Sequence, residues 1–155
     1  MGKSMQQPYS EQMSRNSLAF NCVKLFLQKK MFNASKNLFG LGVFGDDEEN
    51  GKCYFIHPLG VPKLNVIREM AQLEELKVEN KLPGGDIFES IKFSIDALEG
   101  VPTGKKTIRK RAFIFTAGEG KSDYKKEELK MLADHVQRSG AKVNIIVVDF
   151  MEGYD

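Results

Sequence analysis

Apolar residues recur along the chain in patterns that alternate between helical and extended spacing. From about Ser10 to Met31 they return at helical intervals with polar residues between them, which predicts an amphipathic helix. The next segment, NLFGLGVF at Asn37–Phe44, is apolar on both alternating sets of positions, as in a strand that helices cover on both faces. The polar stretch GDDEENGK and the segment CYFIHP after it predict a hairpin with a partner strand.

The second half of the sequence predicts further helices and strands in alternation. A short helix from about Pro62 to Leu73 begins at a proline, which suits a first helical turn. Asp86 can cap the next helix, which the glycine at position 100 ends. Apolar strands at about 112–116 and 142–150 lie on either side of a helix at about 123–139.

Together these elements predict an α/β domain, with a three-layer, Rossmann-like arrangement in which helices flank a mostly parallel sheet. A right-handed crossover requires a parallel strand before the first helix, and the sequence contains none there. We therefore expect the first strand to be missing, because the sheet starts irregularly or because that strand lies upstream of Met1. The resulting gap is expected to expose apolar side chains on the strands, among them Phe39, Leu41, Ile114 and Ile146.

Composition indicates one packed domain without a strong overall charge. The sequence has 155 residues, 41% of them hydrophobic, and a net charge of +2. We expect residues 1–16 to form a polar amino-terminal segment with the start of the first helix, and residues 17–155 to form the domain. So balanced a charge argues against a dedicated nucleic-acid binder. One basic loop can either contact a phosphate backbone locally or stay solvated, and its cationic residues are Lys105, Lys106, Arg109 and Lys110.

Metal-binding, catalytic and membrane patterns are weak in this sequence. Cys22 and Cys53 lie far apart and in no metal-binding spacing, which predicts buried thiols in a reducing compartment. The two histidines, His57 and His135, lie in no catalytic motif, so we expect no catalytic residues. No apolar run approaches the roughly 20 residues that span a bilayer. These features predict a soluble intracellular protein.

The segment FIFTAGEGKSDY, at positions 113–124, combines an apolar strand, a glycine-rich turn and Gly-Lys-Ser, as in a nucleotide-binding loop. A phosphate-binding loop needs a glycine five residues before the glycine of Gly-Lys-Ser, and Phe115 occupies that position. Asp123 would also place negative charge near the phosphates. We therefore expect no cofactor, and a small nucleotide-binding enzyme that uses residues 118–122 is the less favoured alternative.

Three segments resemble a known family. GGDIFESI is similar to the helix start of von Willebrand factor type A domains. GVFGDDEENGK, GGDIFESIKFSIDALEG and TGKKTIRKRAFIFTA resemble the amino-terminal domain of the larger subunit of the Ku heterodimer, and their order matches it. The resemblance extends from about Ser17 to Asp149. It implies a type A-like domain that is truncated before its first strand and before the β-barrel with which the family encircles DNA.

The resemblance implies a non-enzymatic protein-interaction scaffold in the nucleus. Its expected role is DNA double-strand break repair by non-homologous end joining, together with telomere maintenance, in a heterodimer with the smaller Ku subunit. Double-stranded DNA would be a partner only of the full-length heterodimer. Metal-binding type A domains carry a threonine in place of Asp86 and an aspartate in place of Ala117, so we expect no metal site here. An unrelated type A module for adhesion or assembly is the alternative.

The resemblance also implies a groove for short basic or aromatic peptides of repair factors. In the family this groove lies between the hairpin and the helix after the Gly-Gly loop. Matched by position, the candidate contacts in this sequence are Tyr54, Asp86, Lys92, Ile95 and Phe113.

Overall fold

A computed structural model of the chain describes residues 8–10, 13–33, 37–47, 51–76, 85–101, 108–118, 120 and 122–148. These residues form a mixed α/β structure in which short sheets alternate with helices, as the sequence predicts. The elements in chain order are β1 (Pro8–Ser10), β2 (Met13–Ser14), α1 (Arg15–Asn33), β3 (Phe39–Asp47), β4 (Gly51–Gly60), α2 (Leu64–Leu76), α3 (Ile87–Glu99), β5 (Arg111–Thr116), α4 (Lys126–Ser139) and β6 (Lys142–Val147).

The strands pair in three separate two-stranded sheets. β3 and β4 form the predicted antiparallel hairpin, and β5 and β6 pair in parallel from Arg111–Lys142 to Thr116–Val147. The described strands therefore do not form one continuous sheet, and the predicted three-layer arrangement stays a prediction. The hairpin and the parallel pair remain separate because no described strand pairs with both β3 and β5. The small β1–β2 hairpin was not predicted, because its polar residues show no strand periodicity.

Helices cover the β3–β4 hairpin on both faces. Phe39 and Leu41 of β3 pack against a buried cluster of side chains from α1 and α2. The members of this cluster are Phe20, Leu27, Val66 and Met70. Phe44 points to the other face, where it packs against the core cluster of α3 and α4. This division follows from the alternation of side chains along a strand, and it accounts for the apolar character of β3 on both sets of positions.

Helix α3 contacts both of the larger sheets from one side. Its Phe93 ring lies 4.4 Å from the ring of Phe55 on β4, measured between centroids. Its Ile91 and Ile95 pack with Ile114 of β5 in a second buried cluster. Because Ile95 is fully buried, this helix supplies the shared core between the hairpin and the parallel pair.

Helix α1 lies against the opposite face of β5. The Phe26 and Phe113 rings are 5.4 Å apart, and Ala19 packs against the buried Ala117. Helices therefore cover residues that the gap was expected to expose. That expectation is wrong for Ile114, which is 4% exposed, and it is confirmed for Ile146, which is 37% exposed.

The boundaries of α3 and α4 follow from local capping chemistry. The Asp86 side chain accepts a hydrogen bond of 2.8 Å from the backbone N–H of Phe88, which satisfies a free donor at the start of α3. Gly100 donates its backbone N–H to Asp96 at the other end. Gly140 ends α4 with a φ of 64°, in the left-handed region that favours glycine. These ends confirm the predicted helix stops.

A pair of leucines on α1 tests where the core lies. Leu27 is fully buried, whereas Leu25 is 66% exposed on the same helix. We expect Leu27→Ala to lower the free energy of unfolding by about 2–5 kcal/mol, because it leaves a cavity among packed side chains. Leu25→Ala removes the same atoms from water and should change it by less than about 0.5 kcal/mol. Urea denaturation of both variants measures the difference, and equal losses would contradict this position of the core.

A glycine before α3 tests the close approach of β3 to the helix start. A Cβ atom on Gly85 would lie 2.7 Å from Phe44 Cδ2 and 2.8 Å from the backbone nitrogen of Gly45. We expect Gly85→Ala to destabilise the fold by about 1–3 kcal/mol, because backbone and ring must both move. Gly60→Ala is the control, since its Cβ would meet only Pro58 O, at 3.7 Å. Thermal unfolding of both variants compares the two sites, and a Gly85→Ala protein as stable as the parent would show that this contact is loose.

Candidate functional site

Three chain segments meet at the carboxyl ends of β3 and β5. Gly85, just before α3, lies against Phe44 and Gly45 at the end of β3, and Gly120, after β5, lies against the carbonyl oxygen of Gly85. We call this junction the carboxyl edge. Open α/β sheets bind ligands at such edges, because the loops that leave the strands converge there.

Asp86 is the charged group at the centre of the carboxyl edge. Its side chain is half-buried, and one oxygen is used to cap α3 through Phe88. The carboxylate can accept further hydrogen bonds, because each of its oxygens has two lone pairs. Asp86 therefore combines a structural role at the helix start with the capacity to bind a donor or a cation.

The residues after β5 offer little further chemistry. The buried Thr116 accepts a hydrogen bond of 3.0 Å from the backbone N–H of Gly118, so its hydroxyl is tied to its own loop. Ala117 is 8% exposed and packs toward Ala19 on α1. Phe115 packs in the same cluster, as a strand residue rather than as part of a loop. In a phosphate-binding loop, the backbone at the position of Phe115 would have to lie outside the strand, where it could surround an anion.

Tyr124 and Glu89 form a pair beside Asp86 that the sequence analysis missed. The Glu89 carboxylate lies near the Tyr124 hydroxyl, and the Tyr124 ring lies 5.8 Å from the Phe88 ring. Burial raises the pKa of Tyr124 to about 12, and Glu89, Asp86 and Glu128 add to the shift. Two cues could have revealed the pair: Glu89 in the first turn of α3, and an aromatic residue directly before α4.

The carboxylates around Tyr124 give the carboxyl edge an acidic character. The negative charges of Asp86, Glu89 and Glu128 all raise the pKa of Tyr124. Glu128 is partly engaged, because it accepts a hydrogen bond of 2.7 Å from the backbone N–H of Lys125. Coulomb's law favours a cationic ligand at such a site and disfavours a phosphate. The arrangement is suited to lysine or arginine side chains of a partner.

The structure divides the predicted groove residues between two faces. Asp86, Lys92 and Ile95 belong to α3 and its cap; Lys92 is exposed, whereas Ile95 is fully buried in the core beneath it. Phe113 contacts Phe26 of α1 on the opposite face of β5, and it is 43% exposed.

Tyr54 also lies on the face away from α3. Its neighbour Phe55 contacts α3 through Phe93, and successive strand residues point to opposite faces. Tyr54 pairs with the buried Val43 across the hairpin. The structure therefore leaves Lys92 exposed and Asp86 half-buried on α3 and its cap, and it places Tyr54 and Phe113 on strand faces that point away from α3.

The basic loop is described only in part. Arg109 is exposed and Lys110 is half-buried just before β5, whereas Lys105 and Lys106 lie outside the described residues. Lys110 lies close enough to Glu99 to favour the ionised carboxylate. The prediction of phosphate contacts by this loop stays a prediction.

Comparisons with known proteins find one similar sequence and a shared fold. No protein-family model matches the chain. The chain is 29% identical over 140 residues to X-ray repair cross-complementing protein 5 of Dictyostelium discoideum, which covers 86% of this chain but 17% of the relative. None of the helices in the described ranges is long and apolar enough to cross a membrane.

Among solved structures, the chain shares its fold with an aerotolerance-related membrane protein from Bacteroides fragilis. That crystal structure is of a form with several mutations to serine, and the TM-score is 0.63 at 17% identity. The match covers 99% of this chain and 70% of the other. The similarity concerns the fold alone. In sequence, the chain is similar over most of its length to a small part of the X-ray repair cross-complementing protein.

Proposed function

We propose that the chain is a Ku-like, non-enzymatic interaction domain that acts in DNA double-strand break repair. The observation that carries the proposal is the similarity to X-ray repair cross-complementing protein 5 over 86% of this chain. We further propose non-homologous end joining and telomere maintenance as the processes, a smaller Ku subunit as the partner in a heterodimer, and the nucleus as the location, as the resemblance of the sequence motifs to the larger Ku subunit implies. Contact with double-stranded DNA then belongs to the assembled heterodimer rather than to this domain.

The order of the elements supports a type A-like fold for this domain. Helices lie on both faces of β3, and α4 connects the parallel strands β5 and β6, as in a three-layer arrangement. On this proposal a further strand completes the sheet between β3 and β5. Neither a metal ion nor a nucleotide takes part at the carboxyl edge, because Ala117 offers no ligand atom and Phe115 is packed.

The surface that receives the partner is the carboxyl edge together with the exposed side of α3. Asp86 and Glu89 supply the negative charge there, and Lys92 follows on the helix within reach of a carboxylate of the bound segment. Ile95 supports the helix from within the core and does not contact the partner. The partner is a short basic segment of a repair factor. Tyr54 and Phe113 would serve a separate contact on the other face.

Loss of the gene tests the role in repair. We expect cells of the source organism that lack it to survive ionising radiation less well than wild-type cells, because double-strand breaks would be rejoined less often. Ultraviolet light is the control, since its main lesions do not break both strands. Clonogenic survival after both treatments measures the effect. Equal survival of mutant and wild-type cells after ionising radiation would contradict the proposed function.

A charge substitution at the carboxyl edge tests the partner surface. Asp86→Asn removes the charge but keeps a good helix cap, so the fold is retained. We expect it to weaken the binding of a fluorescent, lysine-rich and arginine-rich peptide by about two- to fivefold, as for the loss of one exposed ion pair. Fluorescence anisotropy at low salt measures the affinity, because salt screens such contacts.

The matched control for that experiment is Asp134→Asn, which removes an equal charge from an exposed position on α4. It should leave the peptide affinity unchanged. An acidic peptide of equal length should not bind. Equal affinities of Asp86→Asn and the parent protein, or equal binding of the acidic peptide, would show that this surface does not select basic segments.

A further inference from the structure

A second cluster of polar side chains lies where the end of α3 meets α4, away from the carboxyl edge. Asp96 and Glu99 lie in the last turn of α3, and His135 projects from α4. His135 Nε2 is 3.0 Å from Glu99 Oε2 and 4.0 Å from Asp96 Oδ1. One ligand atom from each residue lies within 4.8 Å of the other two. Two adjacent helices thus direct three potential ligand atoms to one point.

The fold fixes this convergence. Residues three apart on a helix share a face, so Asp96 and Glu99 lie side by side. Leu132, which precedes His135 on α4, is buried against Ile91 and Ile95 of α3, and this packing holds the two helices together. The side chains of the cluster remain accessible, with 54% of Asp96, 42% of Glu99 and 27% of His135 exposed. An ion can therefore reach the cluster from solvent.

The spacing of the atoms is close to that of a metal site. In a tetrahedral zinc complex, metal–ligand distances of about 2.0–2.2 Å place neighbouring ligand atoms roughly 3.3–3.6 Å apart. The observed separations of 3.0 and 4.0 Å lie on either side of this value. Small rotations of these exposed side chains are enough to bring the ligand atoms to the separations of a tetrahedral site.

We propose that Asp96, Glu99 and His135 bind a divalent transition metal ion of the Zn²⁺ class, which ties the end of α3 to α4. The fourth position of the ion is open to water. This site is separate from Asp86 and Ala117, where no ion is expected, and it goes beyond the proposed role in repair.

The electrostatics of the cluster fit an ion of moderate affinity. Carboxylates bind metal ions in their ionised form, and an imidazole binds through a nitrogen that carries no proton. Metal binding at this cluster would therefore break the hydrogen bond between His135 Nε2 and Glu99 Oε2. Lys110 and Arg138 also lie near Glu99, and their positive charges oppose the ion. The net effect of two carboxylates against two cations is a site weaker than a buried zinc centre.

The imidazole nitrogen of His135 determines which divalent metal ions the site binds. Nitrogen ligands suit Zn²⁺, Co²⁺ and Ni²⁺, whereas Mg²⁺ and Ca²⁺ prefer oxygen ligands only. Zn²⁺ should therefore raise the unfolding temperature of the full chain, because it binds only the folded arrangement of the two helices. Mg²⁺ and Ca²⁺ at the same concentration should not raise it.

Isothermal titration calorimetry of the full chain with ZnCl₂ tests the site. We expect His135→Gln and Glu99→Gln each to weaken Zn²⁺ binding by at least about tenfold, as losses around metal ligands do. Two variants serve as controls and should bind as the parent does. Asp134→Asn removes a carboxylate next to His135 in sequence, and His57→Gln removes the other histidine, whose Nε2 is buried.

Zn²⁺ binding by cysteine is the competing explanation for any measured affinity, because neither Cys22 nor Cys53 forms a disulfide in the described part of the chain. Co²⁺ distinguishes the two, since thiolate ligands give intense charge-transfer absorption and nitrogen and oxygen ligands do not. We expect none of that absorption. No Zn²⁺ binding by the parent, equal binding by His135→Gln, or thiolate absorption with Co²⁺ would each overturn the proposal. Circular dichroism confirms that each exposed substitution leaves the fold intact.

Discussion

The packing of α3 against two separate sheets is the interaction on which the rest of the structure depends. The hairpin and the parallel pair share no described strand, so backbone hydrogen bonds do not connect them. Ile91 and Ile95 instead bury apolar surface against Ile114 on one side, and Phe44 of the hairpin packs against the same cluster. Burying a side chain such as Ile95 contributes about 1.5–3 kcal/mol. The packing of α3 therefore connects the hairpin to the parallel pair, as the backbone hydrogen bonds of one continuous sheet would do in a larger domain.

The same helix links the core to both surface features. Its N-cap and first turn present Asp86 and Glu89 at the carboxyl edge, and its last turn presents Asp96 and Glu99 beside His135. Both ends are acidic, but their neighbours differ. The phenol of Tyr124 lies beside the first pair and the imidazole of His135 beside the second. This difference explains why the first end suits basic side chains of a partner and the second suits a metal ion.

The individual helices and strands could be predicted from the sequence, because each has its own hydrophobic periodicity and residues that mark where it begins or ends. Asp86 and Gly140 mark helix ends through capping chemistry that depends only on neighbouring residues. The division of the strands into separate sheets could not be predicted, since it depends on which strands meet in space. Likewise, the strand pattern showed that Phe113 is apolar, but not that it faces α1 rather than α3. The Tyr124–Glu89 pair and the His135 cluster join residues from different helices or loops, and no single window of sequence contains them.

Native-state hydrogen exchange tests the role of α3 most directly. The measurement follows the backbone amides of β3 and β5 in the parent protein and in Ile95→Ala, under conditions in which both remain folded. Since the Ile95 cluster includes Phe44 of β3 and Ile114 of β5, the account predicts that both strands lose protection together. Faster exchange in β5 with unchanged protection in β3 would contradict it, because the hairpin would then be stable without α3.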